Sequence, residues 1–239
     1  MKEQLKTPFY RVKEKDLLYD INLLKEALTK NWGNFVMGYS VKTNSLPWLL
    51  SYLKEQGFYA EVVSEMEYDI AKRIGYSDDR IIYNSPIKDR AVWEQVLLGG
   101  GYVNLDSSYE LNWMEEICQQ YPEKSFRVGL RVNCDIASLC PEEQLVEEEG
   151  GRFGYCYENG KLKEAIDRVQ SLSNAKVAGL HLHSSTQSRT VKVYGALAKM
   201  AVKIAREYAL DLEFVDMGGG YFGGRDDKPN YLNYFEEIG

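Results

Sequence analysis

Tyr39-Ser40-Val41-Lys42-Thr43-Asn44 closes an apolar run that reads as a β-strand from Phe35 to Val41 and hands it over to a polar turn. The turn carries a lysine. An amine at the carboxyl end of a strand can reach a ligand in the mouth of a parallel barrel, although the same six residues also read as a solvated lysine at a strand end. Outward from this point the chain alternates short β-rich runs with amphipathic stretches. Strands are predicted at Phe35–Val41, Tyr59–Val63, Arg80–Asn84, Tyr102–Asp106, Phe126–Asn133, Lys176–His183 and Phe214–Met217, each followed by a loop and a helical pattern. Such alternation builds a parallel sheet covered by helices. The helix after the sixth strand is the clearest, with Leu197, Met200, Ala201, Ile204 and Tyr208 in one stripe between Val191 and Leu210.

A closed (β/α)8 barrel needs an eighth strand, and after the seventh only Tyr231–Gly239 remains, which reads as the start of a helix. Ahead of the barrel come a short strand at Phe9–Val12 and a helix from Glu14 to Lys30, with Leu17, Ile21, Leu24 and Leu28 on one face. The expected organisation is therefore residues 1–30 leading into a barrel over residues 31–239. That barrel is an α/β TIM-type (β/α)8 barrel cut after about seven strands. Two unpaired strand edges favour association, so a fragment of a longer chain is expected, with poor solubility or oligomerisation.

Two further motifs change the weight of Lys42. Gly179-Leu180-His181-Leu182-His183-Ser184-Ser185-Thr186-Gln187 is a strand bearing the only 2 histidines of the chain, followed by small hydroxyl side chains. Phe214-Val215-Asp216-Met217-Gly218-Gly219-Gly220 is a strand running into three glycines, whose backbone N–H groups can approach an anion closely. A strand-end lysine, an imidazole pair and a glycine turn are the parts needed to hold pyridoxal phosphate (PLP). With Pro8-Phe9-Tyr10, Arg131-Val132-Asn133 and Arg152-Phe153-Gly154 added, the sequence resembles the barrel domain of the fold-type III PLP decarboxylases. That family includes diaminopimelate and ornithine decarboxylases and is related to alanine racemase.

The resemblance implies Lys42 as the Schiff-base lysine, His183 as the ring against the cofactor's face, and Arg131 and Glu61 as positions close to the cofactor. Gly218, Gly219 and Gly220 would offer amides to the phosphate, with Thr186 or Ser185 adding a hydroxyl. His181 points the same way as His183, because residues two apart on a strand share a face. Arg131 and Glu61 also read as a salt-bridged pair in the lumen. Asn84-Ser85 and Asp106-Ser107 resemble strand ends lining the same pocket, although Ser107 reads equally as a helix N-cap. The implied reaction is decarboxylation of an amino acid, diaminopimelate-like or basic, in a homodimer whose carboxyl-terminal β domain completes the site.

The remaining readings are a non-catalytic PLP-binding barrel, an amino-acid racemase, and a metal-dependent hydrolase in which His181 and His183 are ligands. Zinc would have to be completed by carboxylates or thiols, since no third histidine exists. A net charge of −7 gives no basic footprint for nucleic acid. No run approaches the ~18 apolar residues of a membrane span and no apolar leader opens the chain, so a cytoplasmic protein is expected. Cys118, Cys134, Cys140 and Cys156 lack CxxC spacing and read as reduced thiols.

Overall fold

Strand and helix alternate along the whole of the described chain in a computed structural model that covers residues 11–141, 153–183, 189–223 and 226–239. Contacts divide it into one unit of residues 36–220 and another of residues 1–35 with 221–239.

The larger unit holds β1 (Gly38–Ser40), β2 (Tyr59–Val62), β3 (Ile81–Tyr83), β4 (Tyr102–Leu105), β5 (Phe126–Asn133), β6 (Tyr155–Cys156), β7 (Ala175–His181) and β8 (Phe214–Asp216). All pairings are parallel and run β1-β2-β3-β4-β5-β7-β8, with β6 as a short branch on β5. The helices α2 (Pro47–Glu55), α3 (Glu65–Ile74), α4 (Arg90–Leu98), α5 (Ser108–Gln120), α6 (Lys161–Gln170) and α7 (Val191–Glu207) lie between consecutive strands. This is the strand–helix order of a (β/α)8-type barrel through seven strands, as the periodicity predicts. Each predicted strand is present, and most differ from their forecast ends by only a residue or two. β1 is the exception: Phe35–Met37 take no part in the strand, and at its other end Val41–Thr43 winds into a 3-10 turn.

The core lies where the strands meet their helices. Ile81, Tyr83, Val103, Leu105, Val128 and Leu130 from the sheet are buried against Val96, Met114, Leu162, Ile166 and Ile204 from the helices. Strands covered on both faces read as near-continuous apolar runs. At the amino end of the sheet Tyr102 meets Phe214 edge-on at 5.0 Å and Tyr59 at 6.0 Å. Gly179 makes room for that plug, since a Cβ there would stand 2.2 Å from the Phe214 ring.

In the smaller unit α1 (Glu14–Asn31) packs on α8 (Tyr231–Ile238). Trp32 meets Phe235 at 5.4 Å between ring centroids, and Lys30 Nζ reaches Glu236 Oε1 at 2.8 Å. Helix α1 fills its predicted span. Of the strand expected at Phe9–Val12, Arg11 and Val12 take no part in a strand, and Phe9 and Tyr10 lie outside the described residues.

Candidate functional site

The carboxyl ends of the parallel strands gather the polar side chains that the sequence singles out. Lys42 is exposed in the turn after β1. That turn is pinned by Thr43 Oγ1 donating to Ser40 O at 2.7 Å, and the next by Leu46 N donating to Asn44 Oδ1 at 3.1 Å. Glu61 is in register with Ser40 on the neighbouring strand. Burial pushes its carboxyl above the ordinary value, against the opposing pull of the Ser40 hydroxyl and the Lys42 ammonium.

Across the sheet, His181 is in register with Arg131 of β5 and with Asp216 of β8. Its ring lies 6.3 Å from that of His183, at 25°, so the two imidazoles share one face as the spacing of two predicts. His181 is buried and its Nδ1 has no hydrogen-bond partner among the described residues. Burial lowers the His183 pKa to about 4, helped by His181, Arg131 and Lys42. A histidine whose folded pKa is depressed binds its proton more readily unfolded, so its contribution is intact above the unfolded value and disappears as pH falls towards 4. The thermal midpoint should therefore drop between about pH 6.5 and pH 4, and His183→Gln should flatten part of that slope; an equally steep profile in the variant refutes the assignment.

Asp216 is the hub of the lumen. Its Oδ2 accepts from Asn84 Nδ2 at 2.9 Å and Asn104 Nδ2 at 3.1 Å, and its Oδ1 from Gly218 N at 2.8 Å. Burial alone would push its carboxyl up, but His181, the Asn84 amide and the Gly218 N–H hold it below the usual range. The glycine turn is thus tied to the lumen by a carboxylate that the motif reading passed over. Gly218 N–H is engaged by this bond, while Gly219 N approaches His183 Nδ1 at 3.4 Å and Tyr194 Oη donates to Gly219 O at 2.9 Å. Gly218 sits at φ +66, where a Cβ would meet His183 Nδ1 at 2.3 Å. The imidazole and the turn therefore fit together only through glycine.

Arg131 does not pair with Glu61 as expected. Its Nη1 donates to Asp106 Oδ2 at 2.9 Å, and the guanidinium lies over the Phe153 ring at 4.9 Å. The reason is placement: Asp106 ends the strand next to β5, whereas Glu61 stands on β2 beside Ser40. Thr186 and Ser185 lie outside the described residues. All 4 cysteines are free, and burial pushes the Cys134 thiol up to about 12. Among the described residues no group of three or more His, Cys, Asp or Glu side chains could hold a metal ion, and no helix is long and apolar enough to cross a membrane.

The donors fit PLP. An exposed lysine, a flat imidazole with a depressed pKa and a glycine turn that a single Cβ would fill converge at one end of a parallel sheet. That layout has the side chains and backbone donors that a cofactor-holding (β/α) barrel would need. The pyridoxal-dependent decarboxylase family, pyridoxal binding domain, matches residues 18–238, and the chain belongs to that family. It is similar to a diaminopimelate decarboxylase of Archaeoglobus fulgidus, 29% identical over 199 residues that make up 82% of this chain and 46% of the relative. Among solved structures, diaminopimelate decarboxylase from M. jannaschii superposes with a TM-score of 0.83 at 21% identity, over 99% of this chain and 57% of that one. A variant of the Helicobacter pylori enzyme complexed with L-lysine gives 0.80 at 25% identity, over 99% and 60%. The chain spans about half the length of the curated relatives it matches.

Proposed function

We propose that this chain is the cofactor-binding barrel of a PLP-dependent amino-acid decarboxylase, with Lys42 carrying the cofactor. The observation that carries the reading is the joint placement of Lys42, His183 and the Gly218–Gly220 turn at the carboxyl ends of β1, β7 and β8. When bound, PLP supplies an electron sink for the carbanion left by loss of carbon dioxide. The residues of the chain bind, orient and move protons around it.

Lys42 Nζ would supply the amine that holds the cofactor, and Glu61, in register with Ser40 on the neighbouring strand, would lie close to it. His183, neutral well below pH 7, would lay a flat uncharged ring against the cofactor. The glycine turn, with the hydroxyl of Thr186, would hold the phosphate, and the Asp216 bond to Gly218 N fixes the turn's shape. Arg131 brings a fixed positive charge beside the ring. The proposed substrate is a diaminopimelate-like or basic amino acid. Relatives named diaminopimelate decarboxylase, one of them complexed with L-lysine, support that class. The proposed working form is a cytoplasmic homodimer.

The test is an absorbance spectrum after incubation with PLP and gel filtration. The unaltered chain should retain a visible band that Lys42→Ala lacks. A band retained equally by both would remove Lys42 from its role.

A further inference from the structure

The proposed chemistry uses Arg131 but leaves unexplained the two charged side chains behind it. Lys88 and Glu110 are both wholly buried, with Lys88 Nζ 2.7 Å from Glu110 Oε1. Burial pushes the lysine down and the carboxyl up, and each holds the other against that pull. A buried ion pair is a poor device for stability alone, because well-packed apolar side chains often serve as well or better. What this pair touches suggests another use.

Lys88 Nζ donates to Ser85 O at 2.6 Å, just past β3. Glu110 Oε2 accepts from Asp106 N at 2.7 Å and Ser107 N at 2.9 Å, at the end of β4. The Ser107 bond belongs to the capping box of α5, but the Asp106 bond and the lysine lie outside what a helix cap needs. Asp106 then uses both carboxylate oxygens, Oδ2 for Arg131 Nη1 at 2.9 Å and Oδ1 for Gly154 N at 3.0 Å. Each link fixes the next.

We infer that Glu110 is a positioning residue for Arg131, with Lys88 offsetting its charge in a site closed to solvent. Glu110, held by Lys88, fixes the backbone of Asp106 so that its carboxylate presents the Arg131 guanidinium to the site. The use made of Arg131 rests on the proposed cofactor-binding role; its placement belongs to the chain without cofactor and is tested there.

His181 and His183 are the only histidines, so imidazole proton resonances give a clean titration. Four charged or titratable groups bear most on His183: His181 on β7, Arg131 on β5, Lys42 after β1 and Asp216 on β8. Arg131→Gln removes one positive charge and should raise the His183 midpoint. Lys88→Met/Glu110→Leu should raise it at least half as far, with Arg131 still present. Lys88→Met/Glu110→Gln should bring back the unaltered midpoint, because the glutamine oxygen still accepts from both amides. The inference is overturned if Arg131→Gln leaves His183 unmoved, if the leucine variant titrates like the unaltered chain, or if the glutamine variant shifts as far as the leucine one.

Should a variant fail to fold, hydrogen exchange on the unaltered chain decides. The Asp106, Ser107 and Gly154 amides should be slow to exchange, and exchange at the rate of open loop amides overturns the placement. PLP retention is recorded on the same samples. An unaltered chain that retains no PLP while His183 shifts as expected refutes the cofactor reading and leaves the positioning role standing.

Discussion

Glu110→Ala should lower stability by about 3–5 kcal/mol, among the largest losses any single substitution can cause here. It strands the Lys88 ammonium in a site with no exposure, and breaking a buried pair costs far more than the pair itself contributes. It also leaves the Asp106 and Ser107 amides without their acceptor. For a domain of this size the loss corresponds to a fall in thermal midpoint of roughly 6–20 °C. Lys163→Ala, which removes an exposed pair with Asp167 on α6, should leave the midpoint almost where it was. Lys88→Met/Glu110→Gln should recover much of the loss by removing both charges while keeping an acceptor for the amides. A Glu110→Ala midpoint equal to that of the unaltered chain would show that the pair carries no such weight.

The same pair marks the limit of what was legible in the sequence. Strand positions were legible because a barrel strand buried on both faces must be apolar over most of its length, and Phe126–Asn133 matches its forecast at both ends. β6 was not legible. Tyr155–Cys156 is two residues long, too short to show any period, and it pairs only because β5 continues past its neighbours.

At the site, the lysine, the imidazoles and the glycines were legible because their chemistry is unusual at strand ends. Asp216 stood in plain view inside a quoted motif, yet its role depends on amides from β3 and β4 that no local pattern brings to it. The spacing Ser107-x-x-Glu110 is a capping-box signal, and it could have flagged Glu110 as a helix N-terminal carboxylate. Nothing local pairs it with Lys88, which follows the exposed Ile87 and reads as a polar loop residue. The alternative reading of Glu61 and Arg131 as an ion pair fails for the same reason, since charge complementarity proposes partners but strand adjacency selects Asp106.

Gly218→Ala should cost PLP affinity on the order of 100-fold, or about 2.7 kcal/mol. Two penalties combine. At φ +66 a residue with a Cβ is strained by about 1–2 kcal/mol, and that Cβ would stand 2.3 Å from His183 Nδ1 and 2.8 Å from His183 Cβ. The turn cannot simply retreat, because Gly218 N is held to Asp216 Oδ1 at 2.8 Å and Asp216 is held in turn by Asn84 and Asn104. Relief must come from the imidazole swinging away from the turn, and on the proposed role of His183 the loss falls on cofactor binding more than on folding. Gly219→Ala separates the two effects, since a Cβ there meets no atom of the described residues within 4 Å and the thermal midpoint should hold. A fluorescence or absorbance titration with PLP reads the affinity of both variants. If Gly218→Ala binds PLP as tightly as the unaltered chain, the close fit of the glycine turn against His183 does not form the cofactor pocket, and the phosphate must be held elsewhere.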